Sequence, residues 1–126
     1  MAATLDHLIL RVNDAQATAL FFAKVLGFAD EGQEGPFTVL RVSPDLTLQL
    51  APWGTAGNEH LAFALDGPTF DAAFARLREA AIPHGDSFHD SANMRGPGDE
   101  PAARGRGRTL YFLDPNRHLI EIRTYD

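Results

Sequence analysis

The chain repeats itself, and that repeat limits the available folds more than any other feature. LDHLILRV at 5–12 and NEHLAFAL at 58–65 each set a histidine at the head of an apolar run, His7 and His60, at an offset of 53. The same offset carries Phe21 onto Phe74. After the first run, Asn13-Asp14 suits a helix cap, Phe21, Phe22, Val25 and Leu26 recur at helical spacing, and Gly27 marks a stop. After the second run, Asp66-Gly67-Pro68 puts a proline in a first helical turn, followed by Phe70, Phe74 and Leu77. FTVLRVSPDLTLQLA at 37–51 and RTLYFLDPNRHLIEI at 108–122 each read as strand, proline turn and strand. Pro44 aligns with Pro115 at an offset of 71, so the second copy holds 18 further residues, the length of DSANMRGPGDEPAARGRG at 90–107, which reads as an inserted loop. The expected organisation is α+β: β-α-β-β-β twice within a single domain spanning 1–126, with modules at about 1–55 and 56–126 and one shared sheet system.

Composition narrows the chemistry. The 126 residues, 44% of them hydrophobic, suffice for a buried core without covalent staples. The chain has no cysteine, which excludes disulfides, thiolate nucleophiles and Cys-based metal sites. Any metal must be held by His, Asp, Glu or other oxygen ligands. A net charge of −6 argues against a general nucleic-acid binder. No apolar run has the length of a membrane span and no leader pattern opens the chain, so the expected location is cytoplasmic, with no membrane partner.

Alternation along each strand sorts side chains into two faces. Leu8, Leu10 and Val12 oppose His7, Ile9 and Arg11; Leu61, Phe63 and Leu65 oppose His60, Ala62 and Ala64. Leu48 and Leu50 oppose Gln49, Leu110 and Phe112 oppose Thr109 and Tyr111, and Ile120 and Ile122 oppose Glu121, Arg123 and Tyr125. The apolar face belongs under the helices. The other gathers His7, Arg11, Gln49, His60, Thr109, Tyr111, Glu121 and Arg123, which reads as the lining of a cup. Each of these has a plainer reading as well: a hydrogen-bonded histidine at a strand start, an edge-strand carboxylate paired with arginine, a packing tyrosine reaching a backbone partner. His84, His89 and His118 read as structural or exposed, and His118 shares parity with Ile120, away from Glu121. ARGRGRT at 103–109 reads as a solvated loop, or functionally as a lid whose Arg104, Arg106 and Arg108 grip anionic groups.

DHLILRV, the helix running into VLGF, EHLAFAL and above all LYFLDPNRHLIEI resemble the vicinal oxygen chelate superfamily, which takes in glyoxalase I, fosfomycin-resistance proteins, extradiol dioxygenases and bleomycin-resistance binding proteins. The resemblance implies paired βαβββ modules in a U-shaped, half-open sheet cup and a homodimer. It also implies a divalent metal (Fe, Mn, Ni or Zn) held by His7, His60 and Glu121, with open positions for a small substrate bound through neighbouring oxygens. Tyr111 and Thr109 then stand as catalytic candidates, and Gln49, Arg11, Arg123, Arg106 and Arg108 as substrate-binding ones. Three functions follow from the resemblance: a Lewis-acid enzyme (lyase or transferase) of the glyoxalase or fosfomycin-resistance type, an Fe(II) extradiol-type dioxygenase, or a metal-free drug-binding protein. Two residues depart from well-known members: Ile9 stands where fosfomycin-resistance transferases resembling this chain have threonine, and Gln49 where glyoxalase I carries a carboxylate.

Overall fold

The computed structural model describes residues 2–126, in two compact units that meet in sequence at Ala56 and Gly57. In the first unit, β1 (His7–Arg11) leads to α1 (Ala15–Leu26), then β2 (Ala29–Glu34), β3 (Phe37–Ser43) and β4 (Leu46–Ala51). Asp14 caps α1 by accepting from the Ala17 N–H, and Gly27 ends it at φ 74°, a left-handed conformation that costs glycine nothing. The sheet runs β1-β4-β3-β2, with β1 parallel to β4 and the rest antiparallel. Phe22, Val25, Leu40, Leu48 and Leu50 are buried between helix and sheet, and Phe22 stacks on Phe28 at 6.0 Å. Leu8, expected on the buried face, stays 38% exposed. It lies on the edge strand, where neighbours cover one side only.

The second unit runs β5 (His60–Ala64), α2 (Gly67–Glu79), β6 (His84–Gly85), β7 (Gly98–Ala102), β8 (Gly105–Leu113) and β9 (Leu119–Thr124). Asp66 caps α2 by accepting from Thr69, which holds its carboxyl below the ordinary range. Phe70, Ala73 and Leu77 on α2, Leu110 and Phe112 on β8, and Ile120 and Ile122 on β9 are all buried. The sheet order is β5-β9-β8-β6, with β7 added alongside β8. Among the described residues, strand pairing runs within each unit. The internal registers agree: β1 sets Ile9 beside Gln49, and β5 sets Ala62 beside Glu121. Each unit thus presents the same parallel strand pair, and the carboxylate of the second answers to the amide of the first.

The inserted segment is the main departure from expectation. Residues 98–102 form β7, antiparallel to the first half of β8, with Gly98 opposite Thr109 and Ala102 opposite Gly105. GDEPA has none of the apolar alternation that marks a strand from sequence; β8 supplies its hydrogen bonds. Gly107 is needed there, because a Cβ would lie 2.2 Å from the Thr124 carbonyl oxygen.

Candidate metal centre

The parallel pairing of β5 with β9 puts His60 and Glu121 on one face, with His60 Nε2 3.2 Å from Glu121 Oε1. Two donors about 2.1 Å from one ion and about 90–109° apart are separated by about 3.0–3.4 Å, so this spacing suits ligands of a common metal. Without an ion the same contact is a hydrogen bond from the imidazole N–H to the carboxylate. The His60 side chain keeps 36% of its surface, while that of Glu121 keeps 8%. One donor is open to a ligand and the other is fixed. Among the described residues no third His, Asp or Glu joins this pair.

Glu121 is fixed by Arg123, two residues along β9. Arg123 Nη1 donates to Glu121 Oε2 at 2.9 Å, and Nη2 to the carbonyl oxygens of Glu100 at 2.9 Å and Gly105 at 3.4 Å. Its guanidinium also lies over Tyr125 at 4.8 Å. Arg123 was expected to bind substrate; at 3% exposure it is instead the strut between Glu121 and the β7–β8 hairpin. The plainer expectation for Glu121, pairing with an arginine, is met together with the contact to His60. β9, however, is an interior strand rather than an edge.

Tyr111, opposite Glu121 on β8, stacks on the His60 ring at 6.5 Å between centroids. Its hydroxyl donates to Glu100 Oε2 at 2.8 Å, a side-chain partner rather than the expected backbone one. Burial, then this hydrogen bond, then the charges of Glu121 and Glu100 push the Tyr111 phenol well above its ordinary value. In this geometry the phenol is a hydrogen-bond donor to that carboxylate. Because the folded value is raised, its stabilising effect is complete below the unfolded value of about 10 and lost as pH rises beyond that. Chemical denaturation should show wild type losing about 1.4 kcal/mol per pH unit relative to Tyr111→Phe above pH ~10. Parallel curves for the two proteins would contradict this.

The remaining candidates are placed as follows. Thr109 is fully buried opposite Arg123, and its hydroxyl meets no hydrogen-bond partner among the described residues, so it is sealed in rather than offered to a ligand. Arg106 donates to the Asp99 carbonyl at 2.9 Å, Arg108 to Asp71 Oδ1 at 2.8 Å, and Arg104 lies over Tyr125 at 4.3 Å. The arginine segment is thus an anchored hairpin arm, not a free lid. Arg108, which also lies over Phe70, has the parity of buried Leu110 and points to α2. In the first unit Arg11 lies over Trp53 at 5.5 Å, and Gln49 is half-buried between Ile9 and Val39. The His7 Nδ1–H donates to Asp6 at 2.8 Å, the kind of carboxylate contact that orients an imidazole for ligation through its other nitrogen. His118 is buried and accepts from the Glu59 N–H, His84 donates to the Ile82 carbonyl, and His89 is exposed.

Sequence reasoning missed Phe88. It is 48% exposed on a turn closed by the Asp90 N–H to Ser87 carbonyl bond, and meets the rings of His60 at 5.3 Å and Tyr111 at 6.1 Å edge-on. Its only sequence signal is an aromatic outside any helix or strand period. It borders an open cleft of ≈ 330 Å³ that also takes in His60, Leu113 and Leu119.

Residues 4–122 match the family model of the Glyoxalase/Bleomycin resistance protein/Dioxygenase superfamily. Among solved structures, Oxidase ChaP-H2 is similar at TM-score 0.84 and 30% identity, over 100% of this chain and 96% of that one. Virulence protein STM3117 of Salmonella typhimurium is 27% identical over 96% of this chain and 83% of its own length. Metallothiol transferase FosB of Shouchella clausii is 32% identical, over 52% of this chain and 37% of its own. No helix is long and apolar enough among the described residues to cross a membrane.

Proposed function

The chain belongs to the glyoxalase/bleomycin resistance protein/dioxygenase superfamily, and on that premise we propose that it is a divalent-metal enzyme acting on a small oxygenated substrate. The observation that carries this is the His60–Glu121 pair at 3.2 Å, with the second carboxylate oxygen held by Arg123. His7 is the third ligand in this proposal, contributed by the same chain or by a second copy in a homodimer. Histidine nitrogens and a carboxylate suit Fe, Mn, Ni or Zn, and the spacing of His60 and Glu121 supports a shared ion. An ion bound there supplies Lewis acidity to a substrate oxygen and, if it is iron, redox chemistry with O2.

The chain's own residues do the rest. Arg123 fixes Glu121, Tyr111 packs the inner side of His60 and keeps its proton, and Phe88 covers part of the face they share. Gln49 is neutral, so we assign it no more than a weak ligand or a hydrogen bond to substrate, which disfavours proton shuttling of the glyoxalase I kind. A second reading, oxidative chemistry, is favoured by the whole-length similarity to a protein named an oxidase. The FosB match covers half of this chain, which gives the transferase reading less support.

Titration with Mn(II), Fe(II), Ni(II) and Zn(II) tests the proposal. About one ion per chain should bind, and 100-fold saturation should raise stability by about 2.7 kcal/mol. Oxygen uptake with a catechol by the Fe(II) form alone would select the oxidative reading. Absence of binding for all four ions would leave the metal-free binding role instead.

A further inference from the structure

The turn between β8 and β9 holds Arg117 at φ 70°, in the left-handed region that arginine adopts only under strain. The turn itself imposes this. Asp114 Oδ1 accepts from the N–H groups of Asn116 and His118, and the Arg117 N–H closes onto the Asp114 carbonyl at 3.1 Å. The Arg117 carbonyl in turn accepts from Asn58, itself at φ 79°, at 3.2 Å. A Cβ at Gly57 would lie 2.6 Å from that same carbonyl oxygen, so no slack remains in the clamp. Glycine would occupy position 117 without steric cost. The chain instead carries a long cation there, and strain of this kind points to a use for the side chain.

That use is legible from what surrounds it. Arg117 is exposed on the rim of the cleft that contains His60 and Phe88, with Leu113 and Leu119 as apolar wall. Its guanidinium makes no hydrogen bond or ion pair with any described residue. Glu59 lies on the same rim and does not pair with it. Arg104, Arg106, Arg108 and Arg123 are each engaged by a ring, a carboxylate or a carbonyl. In a chain of net charge −6, an unengaged cation beside a half-exposed aromatic is a place for an anion. We propose that Arg117 anchors the anionic group of the substrate, and that this substrate carries a carboxylate or phosphate on an apolar body of one or two rings. A cleft of ≈ 330 Å³ is at the small end of ligand-site volumes, about 300–1,000 Å³, and has room for a body of that size. The assignment deepens the metal-enzyme reading and rests on it only in taking His60 as the reacting end of the cleft.

The probes are 2-naphthoate and its neutral counterpart 2-naphthamide, titrated by fluorescence into the full chain after EDTA dialysis and again with Zn(II). Metal-free wild type should bind the anion at least about tenfold more tightly than the amide, about 1.4 kcal/mol. Arg117→Gly and Arg117→Asn, which both accept a left-handed backbone, should lose that preference and leave amide affinity unchanged. Both variants should melt no lower than wild type, since the strain is relieved. Equal naphthoate affinity in wild type and Arg117→Gly would overturn the assignment, as would lower melting of both variants, which would make the arginine a packing residue. A wild type that discriminates yet takes up no metal would remove the metal reading and leave the anion site standing.

Discussion

His60→Ala should cut metal affinity by at least about 100-fold, beyond the 10–100-fold that loss of an outer-shell partner costs. The imidazole is half-exposed, so the metal-free variant should keep wild-type stability to within about 1 kcal/mol. Loss of metal with retention of fold separates a ligand from a packing residue. His7→Ala should behave alike, and the two variants together resolve where the third ligand comes from. If each site draws His7 from one copy and His60 with Glu121 from another, mixing the variants after subunit exchange restores about a quarter of the sites by random pairing. If each site lies within one chain, mixing restores none. Unchanged metal stoichiometry in His60→Ala would remove the site altogether.

The second large effect belongs to Arg123→Ala, expected to destabilise the fold by about 3–5 kcal/mol, because it strands the Glu121 carboxylate out of water. Glu121 and Arg123 keep 8% and 4% of their side-chain surface, so solvent cannot take the place of the lost partner. Adding Glu121→Gln to Arg123→Ala should recover part of the loss, and the double-mutant cycle should give a coupling above about 1 kcal/mol. Arg123→Lys should fall between, keeping the charge but not the fork that reaches Glu121, Glu100 and Gly105 together. Additive losses in the cycle would mean that Arg123 serves the hairpin alone.

These two residues mark the boundary between what the sequence determines and what it does not. The repeat, the helix caps at Asp14 and Gly27, and the shared face of His60 and Glu121 were all readable, because strand parity and turn chemistry are local and the offset of 53 sets the copies in register. His118, expected to be structural or exposed, is buried one residue ahead of β9, where its ring accepts from the Glu59 N–H. Arg108 was expected in a solvated loop or a lid; its pairing with Asp71 on α2 appears only in the structure.

Only the tertiary structure decided the rest. That Arg123 locks Glu121 depends on the carbonyl of Glu100, brought in by β7, whose own residues carry no strand signal, and on that of Gly105 at the start of β8. Phe88 meets His60 because the turn at Ser87–Asp90 holds it there, and Arg117 is strained because Asp114 and Asn58 close upon its backbone. By itself the sequence determined which side chains share a strand face, since alternation is a property of the chain alone. Which partner each one meets was left to contacts between segments far apart in sequence, whose positions depend on hydrogen bonds that no local pattern records.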